Sequence, residues 1–256
     1  MHLRASKYKH ARRFVVALGI VASFSVAADT PSGESLIERY IDRSGGTEAY
    51  AKAKNMAMNG TVEMPALNIT GTVAIFEEGE KSYTAMEFAG IGKIEQGFDG
   101  ETAWENSALQ GPRILEGDEK LSAKRAATLS LITSWRDVYK DAHTLGAEDI
   151  DGKPAWKVEM TPKEGKPETF YFDRDSGLLV RISAVFSTAM GNISTESTMS
   201  DFRSIDGILT PFAMTEKAMS QNIVMRFKTI DYNVTLAKDR FDLPAPVKAL
   251  AARKKQ

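Results

Sequence analysis

Apolar positions recur at two different periods along this chain, and the change of period divides it. Leu36, Ile37, Tyr40 and Ile41 fall at helical spacing after Ser32 and before Gly45-Gly46, which predicts an amphipathic helix within 34–54 stopped by glycine. A second short helix over 47–53 starts from Thr47, with Tyr50 facing inward. From Asn55 the period becomes two: 55–64, 67–77, 80–88, 91–98 and 102–105 alternate small or apolar with polar residues and read as strands. Pro65-Ala66 separates the first pair, and Asp99-Gly100 marks a hairpin. The alternation stops over 118–140. There Leu121, Ala127, Leu131, Ile132, Trp135, Val138 and Tyr139 gather on one helical face, predicting the longest helix after the N-terminal segment.

Strands then resume over 142–150, 155–162, 169–173, 178–188, 193–205, 209–217 and 222–233, joined by Asp151-Gly152, Asp175-Ser176-Gly177, Asp206-Gly207 and a loop at Met190-Gly191-Asn192. So many successive strands with short connections imply one antiparallel sheet, and a sheet of that size curls rather than lying flat. The predicted class is α+β: a large curled antiparallel sheet, an incomplete barrel, wrapped over a central helix.

The first 28 residues follow a different rule. Arg4, Lys7, Lys9, Arg12 and Arg13 precede an apolar run from Phe14 to Phe24 and the small residues Ser25-Val26-Ala27-Ala28. This is the layout of a secretory signal peptide, with cleavage expected after Ala27 or Ala28. A bilayer span takes about 20 apolar residues, roughly twice this run. The expected organisation is therefore a signal peptide over 1–28, one domain over 29–245 and a flexible tail over 246–256 carrying Arg253-Lys254-Lys255. The expected location is periplasmic or secreted, with no stable membrane span after cleavage and no lipobox, because the chain has no cysteine.

Removing the leader changes the charge. It carries five of the 33 Lys and Arg and none of the 34 Asp and Glu, so the exported part has a net charge of 28 − 34 = −6. An acidic chain without a basic stripe is a poor match for nucleic acid. The absence of cysteine excludes disulfides, thiol catalysis and thiolate metal sites, so the core alone stabilises the fold.

Several stretches, in order, resemble the lipoprotein-sorting LolA/LolB-like superfamily, and more closely its exported stand-alone members. They are Tyr40-Ile41-Asp42-Arg43-Ser44-Gly45-Gly46-Thr47-Glu48-Ala49-Tyr50; Gly97-Phe98-Asp99-Gly100 with Ala103-Trp104; Phe170-Tyr171-Phe172-Asp173 with Ser176-Gly177-Leu178-Leu179-Val180-Arg181; and Asp201-Phe202-Arg203 with Asp206-Gly207-Ile208-Leu209-Thr210-Pro211. The resemblance implies a LolA-like half-barrel with an apolar cavity that accepts lipid or lipoprotein acyl chains in the periplasm. LolB-type members are anchored through a cysteine that is missing here, so the resemblance implies a soluble member like the carrier LolA. It also implies an arginine that latches a lid; Arg113 and Arg125 both border the predicted central helix, and the sequence does not choose between them.

Candidate chemistry is sparse. His143 is the one histidine beyond the leader, too few for a zinc site or a Ser-His-Asp triad, and no Gly-x-Ser-x-Gly elbow occurs. Gly90-Ile91-Gly92-Lys93 lacks the spacing of a phosphate loop and reads as a strand turn. Glu77-Glu78-Gly79-Glu80 and Asp173 with Asp175 lie at predicted turns, where carboxylates are solvated, and Asp173 to Gly177 begins a calcium loop without completing it. No metal, no cofactor and no catalytic residue is expected. What remains is apolar payload, and the candidate cavity lining is Phe76, Met86, Phe88, Trp104, Leu131, Trp135, Phe172, Phe186, Phe212, Met214, Met225 and Phe227. Flexible methionines and flat aromatic faces suit an acyl chain, and each methylene buried there contributes about 0.8 kcal/mol. The expected function is a periplasmic carrier or binding module for a lipid, lipoprotein acyl chain or other hydrophobic ligand. The alternatives are a non-enzymatic module that docks an envelope protein partner, and a carboxylate-based hydrolase.

Overall fold

The computed structural model describes residues 30–129, 131–188, 191–219 and 221–254. The segment read as a signal peptide lies outside the described residues. The elements in chain order are α1 (Gly33–Ser44), α2 (Gly46–Lys52), β1 (Asn55–Met64), β2 (Ile69–Glu78), β3 (Lys81–Phe88), β4 (Gly92–Phe98), β5 (Ala103–Ser107) and β6 (Gly111–Ile114). They continue as α3 (Gly117–Ala126), α4 (Trp135–Val138), β7 (Tyr139–Ile150), β8 (Lys153–Pro162), β9 (Glu168–Asp173), β10 (Leu179–Thr188), β11 (Gly191–Ile205), β12 (Ile208–Ala218), β13 (Gln221–Tyr232) and α5 (Ala245–Lys254).

All 13 strands form one antiparallel sheet in the order β6-β5-β4-β3-β2-β1-β13-β12-β11-β10-β9-β8-β7. It is two meanders joined at a seam, where β1 pairs with β13 from Met56↔Tyr232 to Glu63↔Val224. The sheet is not closed, since β6 and β7 end the order. It must nevertheless curl. Strands β5 and β10 are eight places apart, roughly 38 Å if flat, yet the single helix α3, about 15 Å long, touches β4, β5 and β10 together.

Helix α1 starts where Ser32 Oγ accepts from the Ser35 amide at 3.2 Å, and Leu36, Ile37 and Ile41 bury one face against Val158, Met160, Phe170 and Phe172 of β8 and β9. Gly33 permits the approach: a Cβ there would meet the Ala142 carbonyl oxygen at 2.3 Å.

Three expectations are corrected. The helix expected over 118–140 is broken: α3 ends at Ala126, the chain turns, and only Trp135–Val138 is helical again before β7 begins at Tyr139. At 12 residues α1 is longer than α3, which has 10. The break has a local cause. The Leu129 amide donates to the Gly79 carbonyl in the β2–β3 turn at 3.0 Å, and Thr128 Oγ1 turns back to the Lys124 carbonyl at 3.1 Å, so backbone groups that would continue the helix are used elsewhere. The flexible tail expected over 246–256 is instead largely helix α5, with Val247 completely buried and the helix resting on β5 and β6. Finally, β6 went unpredicted: it has four residues, including Pro112, too few to show a period.

Candidate ligand-binding face

The face that carries α1 is the inner face of the curl, and strand alternation places two apolar clusters on it. In the β7–β10 half, Leu36, Ile37 and Ile41 of α1 join Trp135, Tyr139, Val158, Met160, Phe170 and Phe172, with Leu131 and Ile132 of the α3–α4 crossover packed alongside. In the other half, Met56, Met58, Val62, Val73, Met86, Phe88, Phe212, Met225, Phe227 and Ile230 form a second cluster, with Met64, Ile75, Met214, Ile223 and Tyr232 packed against it. Six of the chain's 11 methionines, Met56, Met58, Met64, Met86, Met214 and Met225, meet here. Among the described residues, none of α1 to α4 is among its apolar side chains, and from the crossover only Leu129 reaches it.

The predicted lining residues divide accordingly. Met86, Phe88, Phe212, Met214, Met225 and Phe227 come together in the methionine-rich cluster. Leu131, Trp135 and Phe172 fall in the α1 cluster. Phe186 is half-buried and shares its face with Ile182, which packs against that cluster. Phe76 and Trp104 are on the other side of the sheet. They belong to a cross-strand row, Phe76↔Tyr83↔Gly97↔Trp104, which the C-terminal segment covers, with the Arg240 guanidinium 4.2 Å from the Phe76 ring centroid. On this outer side a cleft of about 580 Å³ opens between the segment Val234–Lys248 and Asn55, Glu78, Lys81 and Asp99.

The polar groups of the inner face are few and mostly paired. Arg125, at the end of α3, donates from Nε to Glu168 Oε1 on β9 at 2.9 Å, and Tyr139 donates to the other oxygen, Oε2, at 2.7 Å. The ion pair is buried on both sides, with 10% and 9% of the two side chains exposed. Burial and the adjacent Glu168 carboxylate raise the Tyr139 hydroxyl well above its usual range. Since Ala123 and Ala127 at the same end of α3 pack with Phe98 and Ala103 of β4 and β5, this arginine ties the strap across the curl. Arg113 binds Glu105 at 2.9 Å and Glu119 of α3 at 2.9 Å. At the junction of the two clusters, Ser44 Oγ and the Tyr50 hydroxyl are 2.8 Å apart, and Thr210 Oγ1 and the Tyr232 hydroxyl 3.0 Å apart. Glu77 and Glu216 also face inward, opposite Met56 and Ile223. Burial pushes the Glu77 carboxyl up to about 7 and raises that of Glu216. Sequence reasoning placed Glu77 at a solvated turn and did not single out Tyr139, Glu168 or Tyr232; the signal for Glu77 was its spacing of two and four from Ile75 and Val73.

No family model and no curated protein sequence matches the chain. Solved structures do match. A DUF1329 family protein from Desulfovibrio piger superposes with a TM-score of 0.56 at 16% identity, over 85% of this chain and 100% of that one. A LolA superfamily protein from Nitrosomonas europaea gives 0.54 at 13% identity, covering 82% and 97%. The fold is LolA-like. A domain from Vibrio parahaemolyticus assigned to outer-membrane lipoprotein sorting agrees, with a TM-score of 0.53 at 11% identity over 82% and 97%. Within this LolA-like sheet, α3 reaches from β4 and β5 to β10 across the curl, and among the described residues the methionine-rich cluster receives only Leu129 from the α3–α4 crossover.

Proposed function

We propose that the protein is an exported carrier or binding module that holds a lipid, a lipoprotein acyl chain or another hydrophobic ligand on the inner face of its LolA-like sheet. The observation that carries this reading is the contrast between the two apolar clusters. One is filled by α1 and Trp135, whereas the methionine-rich one receives no apolar side chain from α1 to α4. Methionine side chains adjust to irregular apolar guests at low cost, which suits a wall that accommodates chains of varied shape. The strap α3, held by Arg125 to Glu168, is the element whose displacement admits a ligand. The matching lipoprotein-sorting domain supports the reading by analogy of fold.

No catalytic step is assigned. A carboxylate hydrolase needs two acids within about 10 Å. Glu77 and Glu216, inner-face acids with no hydrogen bond or ion pair among the described residues, lie level with Tyr232 and Ile223 of β13, nine residues or roughly 30 Å apart along the strand.

The test is purification of residues 29–256 from the periplasm without detergent, solvent extraction and mass spectrometry. A stoichiometric lipid supports the carrier. A clean extract that persists after incubation with envelope lipids overturns it in favour of a protein-docking module.

A further inference from the structure

Strand β2 turns Phe76, an expected lining residue, to the outer face. In Val73-Ala74-Ile75-Phe76-Glu77, alternation sends Val73, Ile75 and Glu77 inward and Phe76 outward, so a carboxylate occupies a wall position of the methionine-rich cluster while an aromatic ring sits outside. Glu77 stands between Met56 on β1 and Ser82 on β3, in one cross-strand row with Tyr232. Glu77 is half-buried, its carboxylate makes no hydrogen bond or ion pair among the described residues, and burial raises its pKa. Leaving a desolvated carboxylate unpaired is costly, and a sequence keeps one at such a site where something outside the fold completes it.

The charges of the inner face show what that complement is. The registers of the described strand residues place five acids on it: Glu77, Glu105, Asp149, Glu168 and Glu216. They place two bases, Arg113 and Arg203. Glu105 is paired with Arg113, Glu168 with Arg125 of α3, and Arg203 with Asp201 in the β11 bulge. Asp149, at the rim, accepts from the Gly152 amide of its own turn, so among the described strand residues Glu77 and Glu216 are left over within the wall, and no base. Two strands from Glu77 in the same cross-strand row stands Tyr232, which feels both the Glu77 carboxylate and Tyr50 of α2, the helix that rests on β12.

Resting on the carrier reading above, we propose that the ligand is an amphiphile with a protonated amine in its head group, which binds Glu77 beside Tyr232 and Tyr50 while its chain lies along the methionine-rich wall. The ammonium supplies the missing counter-charge, and the tyrosine rings offer their faces to the cation.

The experiment compares three probes of equal chain length, dodecylamine, dodecanol and dodecanoate, each below its micelle concentration, by displacement of a fluorescent apolar dye from the delipidated protein. The expected order is dodecylamine tighter than dodecanol by about tenfold or more, as a charge-assisted contact predicts, with dodecanoate weakest. In Glu77→Gln the amine loses that advantage and dodecanol binds as before. Equal affinity for all three in the native protein, or an amine preference that survives Glu77→Gln, overturns the proposal while leaving the hydrophobic carrier in place. If none of the three displaces the dye, the carrier reading itself falls. Since Gln removes an uncompensated charge from a site of the same shape, the variant is expected to melt no lower than the native protein, and a melt recorded beside each titration separates lost folding from lost recognition.

Discussion

Arg125 and Glu168 stand 43 positions apart in sequence and meet in a buried pair, Nε to Oε1 at 2.9 Å, that closes α3 across the curled sheet. Arg125→Ala leaves the Glu168 carboxylate buried without its counter-charge, and the expected loss is about 3–5 kcal/mol by urea denaturation. Arg125→Met combined with Glu168→Leu, which removes both charges and keeps the volume, is expected to recover most of it. Arg113→Ala breaks a pair whose arginine side chain is 47% exposed and costs under about 1 kcal/mol. A loss at Arg125 no larger than that at Arg113 contradicts the role of the pair as the tie of the strap.

The wall of the methionine-rich cluster separates folding from binding. Phe88 is 1% exposed, and Phe88→Ala is expected to cost about 3–5 kcal/mol in stability. Met214 is only partly buried at the same cluster. Met214→Gln keeps its length and is expected to change stability by under about 1 kcal/mol while lowering affinity for a C12 chain by about fivefold, through lost apolar contact. Dye displacement and thermal melts on the same samples check both, and a Met214→Gln protein with unchanged affinity removes this wall from the site.

The strand pattern made most of the sheet legible, because alternation and Asp-Gly turns are local signals: β1 to β5 and β7 to β13 fall within a few residues of their expected bounds. Which face a residue takes was not legible at every hairpin. The two runs Asp99-Gly100-Glu101-Thr102-Ala103-Trp104 and Asp151-Gly152-Lys153-Pro154-Ala155-Trp156 match in their Asp-Gly, Ala and Trp positions, yet their tryptophans end on opposite faces. Phe98 pairs with Ala103 across a four-residue loop, whereas Ile150 pairs with Lys153 across a two-residue turn with φ 53° at Asp151 and 83° at Gly152. The turn length sets the register and the register sets the face. That is why Trp104 lies on the outer face and Trp156 on the inner one. The Arg125–Glu168–Tyr139 contact was hidden for a different reason: it joins residues brought together only by the curl.

The C-terminal segment is expected to contribute to the fold rather than trail from it. Val247 is fully buried where α5 rests on β5 and β6, so Val247→Asp forces a carboxylate into an apolar contact and is expected to cost about 3 kcal/mol or more. Lys248, exposed on the same helix and bridging Asp242 at 3.3 Å, is expected to tolerate alanine within about 0.5 kcal/mol. Equal thermal melts for the two variants would return residues 246–256 to the status of a loose tail.

Glu77 also makes stability depend on pH in a defined direction. Its folded pKa, about 7, is raised above the ordinary 4.5 by burial alone. Below pH 4.5 the carboxyl is protonated in both states and costs nothing. Between 4.5 and 7 the unfolded chain releases the proton and the folded chain keeps it, so stability falls as pH rises; above 7 the penalty is constant. From the size of the shift it reaches on the order of 3 kcal/mol, less whatever its residual solvent contact screens. Glu77→Gln is therefore expected to flatten the decline between pH 5 and 7 in urea titrations and to be more stable than the native protein at pH 8. If the two proteins keep the same pH profile, the carboxylate has a partner in solution, and the amine-bearing head group has no vacancy to fill.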